Sequence, residues 1–362
     1  MKIIAPGSTI GILGGGQLGR MTALAAAKLG YRTHIYCQSP EEPAVAVASA
    51  HTIGDFTDAV SLKDFATKVD VVTLEWENIP LKALDILSSH IKVHPSLEVL
   101  RISQVRDHEK SFARQLDLGT TEYIVVKSAN ELEQALKNFT RPAILKSTRM
   151  GYDGKSQVKI TAETTTETAW EDMGGDVGIL EAYVDFLCEI SVIVARREDG
   201  HMATYPPVKN IHQHHILAET HAPADIDPTL AKEAVRMAQL MTEKLNVVGL
   251  LTVEMFVLKR PNKDGQSLLM NEVAPRPHNS GHWTMDACTC NQFEQLVRAI
   301  CGLPLGSTLP HSQAVMHNLI GEDGNNWKQL LNDPRACIHL YGKTEARPGR
   351  KMGHVNYLKG AW

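Results

Sequence analysis

Apolar and polar positions change period repeatedly along the first hundred residues. Residues 9–13 form a short apolar run, 17–29 carry Ala and Leu at helical spacing, and 32–36 return to a strand-like run. A helix-like segment at 61–68 precedes another apolar run at 69–74. Strands alternating with helices imply a parallel sheet with helices on its faces. The pattern changes near residue 105. Residues 128–138 have an amphipathic helical period behind a Ser/Asn start, and 143–146 and 157–160 read as strands around a Gly-bearing loop. Together they are enough for a small α+β unit. A third region begins near residue 184, with strands at 189–196 and 249–258 and a helix at 230–245. Short strands at 314–319 and 338–341 follow. The expected division is 1–105, 106–183 and 184–362, combining an α/β class with α+β units.

Charge narrows the partners. Lys and Arg number 37 against 41 Asp and Glu, a net charge of −4, so the basic excess of a nucleic-acid binder is missing and any anion site must be a local cluster. Apolar stretches are short and broken by Gly or charge, so no membrane contact is expected. The N-terminus runs straight into a strand and reads as the start of a fold rather than a secretory signal. Six scattered cysteines suit a reduced, cytoplasmic protein. Cys288 and Cys290 supply only half a structural zinc shell, so no zinc is expected.

Gly14-x-Gly16-x-x-Gly19 sits between a strand and a helix, the context of a dinucleotide-binding loop. A nicotinamide-dependent oxidoreductase would also need a carboxylate at the end of the second strand. That strand ends Tyr36-Cys37-Gln38-Ser39, with no carboxylate until Glu41. A phosphate-bearing substrate other than a dinucleotide is the expected occupant, and close strand–helix packing is the alternative use of these glycines.

More chemistry lies downstream. Lys146 ends an apolar strand and leads into a loop, Arg149 to Gln157, in which Gly151 and Gly154 give freedom and Lys155 adds charge for a polyphosphate. The apolar stretch 179–184 can pass an adenine between backbone N–H and C=O groups, and Glu189 follows where ribose hydroxyls could be held. Glu254 and Glu272 stand inside β-runs, where a carboxylate is costly unless paired or metal-bound. With Asn271 beside one of them they suggest an oxygen-rich Mg²⁺ site, with Mn²⁺ also acceptable. His212, His214 and His215 lack further metal ligands and read as a surface cluster.

The stretch Asn271-Glu272-Val273-Ala274-Pro275-Arg276-Pro277-His278-Asn279-Ser280-Gly281-His282 closely resembles the signature of the N5-carboxyaminoimidazole ribonucleotide synthases of the ATP-grasp superfamily. So do Gly14 to Arg20, the loop Gly151-Tyr152-Asp153-Gly154-Lys155, and Pro348 to His354; Ser156 stands where that family usually carries Gly. The resemblance implies an ATP-grasp fold with a Rossmann-like N-terminal domain, a small lid domain and a C-terminal domain, commonly assembled as a homodimer. It implies that Arg106, Lys146 and the loop Gly151, Tyr152, Asp153, Gly154, Lys155, Ser156 and Gln157 hold ATP phosphates, and that the loop acts as a lid. Glu181, Ala182, Tyr183 and Val184 would form the adenine hinge, Glu189 would bind ribose, and His212, Asn271 and Glu272 would complete the nucleotide site. The implied reaction is ATP-driven carboxylation of aminoimidazole ribonucleotide by bicarbonate through carboxyphosphate, in purine biosynthesis. Glu254 and Glu272 would carry the metal. Arg276 suits an oxyanion because its planar fork has two parallel donors, and His278 and Asn279 would orient the reacting groups. Gln17, Glu75 and Asp153 would contact the ribonucleotide, with Lys343, Arg350 and Lys351 available for its 5′-phosphate. A sister ligase activating formate and a silent nucleotide-binding module are the surviving alternatives.

Overall fold

The computed structural model describes residues 3–139, 141–149 and 156–359. Tyr152, Asp153, Lys155, Gly151 and Gly154, the centre of the expected lid loop, lie outside the described residues.

Three sheets organise the chain. The first is parallel and five-stranded, in the order Ala50–Ile53, Arg32–Cys37, Thr9–Leu13, Val71–Leu74, Val93–His94. Its central strands are apolar on both faces, with Ile10, Ile12, Ile35, Val71 and Val72 fully buried, as a sheet covered by helices on both sides requires. The helix Gln17–Lys28 lies on one face, and Ala59–Ala66 and Leu81–Ser88 pack together. The short strand Ala50–Ile53 has no buried position, so its alternation carried no signal.

The second sheet is antiparallel and four-stranded: Tyr123–Val126, Gly178–Ala182, Ala143–Ser147, Gln157–Ile160. Helices Ala129–Leu136 and Thr166–Met173 contact each other. Each begins at a hydroxyl cap: Ser128 accepts from the Glu131 amide and Thr165 from the Thr168 amide. Gly174 ends the second in the left-handed region at φ 69°. Ser156, beside the lid loop, holds φ 57°, a conformation that a side chain disfavours and that glycine would adopt freely.

The third sheet has nine strands. Leu268–Ala274, Gly249–Leu258, Phe186–Arg196, Val208–Gln213, Ile216–Ala222, Gln313–Ile320, Lys351–Lys359 and Ala336–Leu340 follow in that order, and Met202–Thr204 pairs with Phe186–Arg196. The helices Pro228–Lys244 and Gln292–Cys301 cover it, and the latter also packs on Gln17–Lys28, joining this sheet to the first. His214 and His215 are the two residues of the hairpin turn between Val208–Gln213 and Ile216–Ala222, at φ 48° and 65°, the double left-handed geometry of a tight hairpin. No helix among the described residues is long and apolar enough to cross a membrane.

Candidate active site

Two cavities meet where the three sheets converge. One, of about 660 Å³, opens beside the four-stranded sheet and is lined by Lys146, Gln157, Glu181, Ala182, Tyr183, Val184, Glu189 and Asn271. The other, of about 340 Å³, opens beside the parallel sheet and is lined by Gln17, Glu75, Glu77, Arg149, Arg276, His278, Asn279 and Lys351. Arg106, His212, His215, Glu254 and Glu272 line both. The junction therefore holds the two carboxylates that the β-runs singled out.

Local structure explains that meeting. Glu254 and Glu272 stand directly opposite each other on neighbouring antiparallel strands, with a bulge beginning just after Glu254, so both carboxylates reach the same region. Each has one close neighbour. Arg106, the first residue of the helix Arg106–Gln115, donates to Glu272 Oε2 at 2.8 Å, and His278 Nε2 lies 2.9 Å from Glu254 Oε1. Burial alone would raise the Glu254 carboxyl, but the His278 side chain it hydrogen-bonds, with His212 and Arg276, outweighs it and holds it below the usual range. The oxygen Asn271 Oδ1 nearby is buried with no hydrogen-bond partner. Two facing carboxylates and an orphaned amide oxygen fit a hard divalent cation. Among the described residues no group of three His, Cys, Asp or Glu is arranged for a metal, so the remaining ligands would come from phosphate oxygens and water.

In the larger cavity Lys146 donates to Glu181 Oε2 at 2.7 Å, while Lys110, fully buried, lies 3.2 Å from Glu181 Oε1 without hydrogen-bond alignment. Lys110 also donates to Thr121 Oγ1 and to the Asn271 carbonyl. Burial would raise the Glu181 carboxyl, yet Lys110 and Lys146 bring it down to about 2. His212 Nδ1 and Glu189 Oε2 are 2.5 Å apart. Burial acts to lower the histidine, but the Glu189 hydrogen bond and the surrounding carboxylates raise it.

These depressed carboxyls set an acid limit. A carboxyl whose pKa is lower in the folded chain contributes stability that is complete above its unfolded value and is lost as pH falls through its folded value. Glu181 therefore stabilises the fold above the ordinary glutamate range, near 4.3, and loses that contribution as pH falls towards about 2. Melting temperatures followed from pH 6 downward (about two units above the ordinary value) are expected to fall through this window. Glu181→Gln is expected to flatten part of the slope, and an unchanged slope would contradict the assignment.

In the smaller cavity Arg276 pairs side-on with Glu77: Nη2 donates to Oε1 at 2.7 Å and Nε donates to Oε2. The third nitrogen, Nη1, donates to the Pro277 carbonyl. Burial would raise the Glu77 carboxyl, and Arg276 brings it below the usual range. Asn279 lines the same wall with both side-chain heteroatoms buried and unpartnered. Of the three late cations, only Lys351 lines the cleft; Lys343 donates to the Lys351 carbonyl at 2.7 Å and Arg350 to the Glu345 carbonyl.

The glycine loop departs from the expectation of a bound phosphate. Gly16 and Gly19 donate their N–H groups to Glu75, at 2.6 and 2.9 Å, and Gly15 donates to Glu42 at 2.9 Å. The chain's own carboxylates occupy the amides that would receive a phosphate and would repel one. A Cβ on Gly14 or Gly16 would come within 2.6 or 2.5 Å of the Glu75 side chain, so these glycines make room for Glu75. Burial, joined by Glu42, raises the Glu75 carboxyl despite the two amides that favour its charge.

Three contributors escaped sequence reasoning, Glu77, Glu109 and Lys110, while Arg149, expected only as the start of the lid loop, also lines the smaller cavity. Glu109 accepts from the Val273 amide and lines the smaller cavity. Burial, with Glu272 nearby, pushes its carboxyl up to about 8, so it stays largely protonated at neutral pH. The only signal for Glu109 and Lys110 was their i, i+3 and i, i+4 spacing from Arg106.

Residues 7–104 match the ribonucleotide synthetase preATP-grasp domain, 111–293 the ATP-grasp domain, and 314–361 the phosphoribosylaminoimidazole carboxylase C-terminal domain. The N5-carboxyaminoimidazole ribonucleotide synthase of Brucella melitensis is 44% identical over 358 residues, covering 98% of each chain. A bifunctional purine synthesis protein of Dictyostelium discoideum is 45% identical over 98% of this chain, which spans 37% of that longer protein. A crystal structure of N5-carboxyaminoimidazole synthase from Aspergillus clavatus, in complex with ADP and 5-aminoimidazole ribonucleotide, superposes with a TM-score of 0.89 at 29% identity, over 97% of this chain and 94% of that one. This chain has the ATP-grasp fold and belongs to the N5-carboxyaminoimidazole ribonucleotide synthase family.

Proposed function

We propose that this protein is an ADP-forming ligase that carboxylates 5-aminoimidazole ribonucleotide with bicarbonate and ATP, giving N5-carboxyaminoimidazole ribonucleotide in purine biosynthesis. The observation that carries the reading is the junction of two cavities at Arg106, His212, Glu254 and Glu272. A nucleotide in the larger cavity would present its γ-phosphate there to an anion held in the smaller one.

The residues divide the work accordingly. Lys146 and Arg106 exchange their carboxylate partners for phosphate oxygens, joined by Gln157 and the loop from Gly151. The backbone at Glu181 to Val184 takes the adenine, and Glu189 takes ribose hydroxyls. A Mg²⁺ ion held by Glu254 and Glu272 would neutralise charge between the phosphates. A bicarbonate oxygen attacks the γ-phosphorus as ADP leaves, with the attacking and leaving oxygens in line. Carboxyphosphate then releases phosphate and CO2 inside the closed cleft. The exocyclic amine adds to the CO2 carbon and loses a proton, leaving a carbamate. Arg276, Asn279 and His278 hold the oxyanion, while Gln17, Glu75, Asp153 and Lys351 hold the ribonucleotide. The domain division 1–105, 106–183 and 184–362, a homodimeric assembly and a cytoplasmic location belong to the same proposal.

The test is product identity. With ¹³C-bicarbonate, ATP and aminoimidazole ribonucleotide, the label is expected in a carbamate on the exocyclic amine, with one ADP and one phosphate per product. ATP cleavage should require bicarbonate and be stimulated by the ribonucleotide. A formylated product from formate, or ATP turnover indifferent to bicarbonate, would assign the chain to another ATP-grasp reaction.

A further inference from the structure

Behind His278 runs a line of buried polar side chains that crosses three strands of an otherwise apolar region. His278 Nδ1 is 2.8 Å from Ser280 Oγ, Ser280 Oγ is 2.7 Å from Ser191 Oγ, Asn210 Nδ2 donates to Ser191 Oγ at 3.0 Å, and Thr220 Oγ1 donates to Asn210 Oδ1 at 3.1 Å. Ser191, Ser280 and Thr220 are wholly buried and Asn210 is 4% exposed. Cross-strand register builds the line: Ser191 stands opposite Glu254, and Asn210 opposite Thr220. An unmet buried hydroxyl or amide is costly, and here four such groups in sequence satisfy one another.

The circuit has one polarity. The Ser280 backbone N–H can only donate, and it points at His278 Nδ1 at 3.3 Å, so Nδ1 carries a lone pair. The Asn210 amide nitrogen can likewise only donate. Ser191 therefore receives from Asn210 and gives its proton to Ser280, and Ser280 gives its own to Nδ1. The imidazole proton is left on Nε2, 2.9 Å from the Glu254 carboxylate. The His278 backbone is fixed independently: the Gln292 side chain receives its N–H at 2.9 Å and donates to its carbonyl at 2.7 Å.

We propose that Ser280, Ser191, Asn210 and Thr220 are positioning residues that hold the His278 ring with its lone pair on Nδ1 and its N–H on Nε2 towards the cleft, so that it meets the reacting oxyanion as a hydrogen-bond donor. The identity of that oxyanion rests on the function proposed above; the tautomer does not. Because Nδ1 is already engaged, rotation or tautomer exchange would place two donors face to face, and the ring keeps one orientation on the cleft wall. Ser191 meets the chemistry through Ser280 and His278, whereas Asn210 also lines the larger cavity.

Two-bond ¹H–¹⁵N spectra of the full-length enzyme labelled at histidine nitrogen test this without any substrate. His278 is assigned by the signals missing from His278→Gln. In the wild type, Nε2 is expected to be protonated and Nδ1 to carry the lone pair. Asn210→Asp replaces the donor with an acceptor and reverses the line, so Nδ1 is expected to move towards the protonated form. Ser191→Ala interrupts the line, and its Nδ1 signal is expected to shift part of the way. Both variants should lower kcat about tenfold, less than the roughly hundredfold or more of a donor removed outright, and Ser191→Ala, at a residue that does not line the larger cavity, should leave KM for ATP near wild type. A wild-type His278 protonated on Nδ1 or on both nitrogens overturns the proposal. So does a Ser191→Ala enzyme with wild-type spectrum and kcat. Should Asn210→Asp fail to fold, the wild-type spectrum and Ser191→Ala still decide. An Nε2–H spectrum in a protein that carboxylates nothing would sink the proposed function and leave this inference standing.

Discussion

Glu272→Gln is expected to leave the fold in place and to remove about a thousandfold of ATP turnover, equivalent to roughly 4 kcal/mol of transition-state stabilisation. The substitution keeps the shape of the side chain and deletes one anionic oxygen from the junction of the two cavities. That oxygen faces Glu254 across the strand pair, so the variant halves the formal negative charge available to a divalent cation. Arg106 then meets at most a neutral amide oxygen where its 2.8 Å carboxylate partner stood. Melting temperature separates the two effects, since Glu272 is 39% exposed in its side chain and its ion pair contributes little to stability. The measurement is ATP cleavage across a Mg²⁺ titration in bicarbonate buffer. Near-normal turnover at low Mg²⁺ would show that Glu272 holds no metal.

The second large effect concerns stability. Glu77 follows the last residues of the parallel sheet's fourth strand, and Arg276 follows the edge strand Leu268–Ala274 of the nine-stranded sheet. Their paired contact is a largely buried tie between the two, with side-chain exposures of 19% and 17%. Replacing Glu77 by Leu strands the Arg276 charge, and breaking such a pair from one side costs about 3 kcal/mol or more. In a chain of this size that corresponds to a fall in Tm of roughly 5 °C. The double variant Glu77→Leu with Arg276→Met removes both charges and is expected to recover much of the loss, because no buried ion is left unpaired. Losses that simply add in the double variant would mean that the two residues are not coupled. The Glu77→Leu enzyme should also need more bicarbonate, since the guanidinium that Glu77 aims would be loose.

What could be read from the chain follows from how each residue meets its surroundings. Glu254 and Glu272 were legible because a carboxylate inside an apolar β-run contradicts its neighbours, and their pairing followed from adjacent strands. The strand 249–258 and the strand 157–160 were legible to the residue. The helix Arg106–Gln115 was not, because its sequence, Arg-Asp-His-Glu-Lys-Ser-Phe-Ala-Arg-Gln, shows almost no apolar stripe. Its inward face is polar: Glu109 and Lys110 are buried against the site, where each finds an opposite charge or an amide. Hydrophobic periodicity cannot report a face buried for its polar contacts. Glu77 was hidden for a different reason. It lies 199 residues from Arg276, and no local pattern announces a partner supplied by another sheet. The glycine loop misled because the spacing reports a close approach of some anion to the backbone, without saying whether that anion is a ligand or a side chain.

A socket for phosphate is plugged by Glu75, an anion that cannot diffuse away because it is tethered to the same polypeptide. A free phosphate or dinucleotide would have to compete with a carboxylate present at a permanently high effective concentration, and the Glu42 carboxylate stands guard at the next amide. The ancestral-looking fingerprint thus works here as an internal rivet. It anchors the start of the helix Gln17–Lys28 to the end of the strand Val71–Leu74, so one wall of the smaller cavity is fastened from inside the chain.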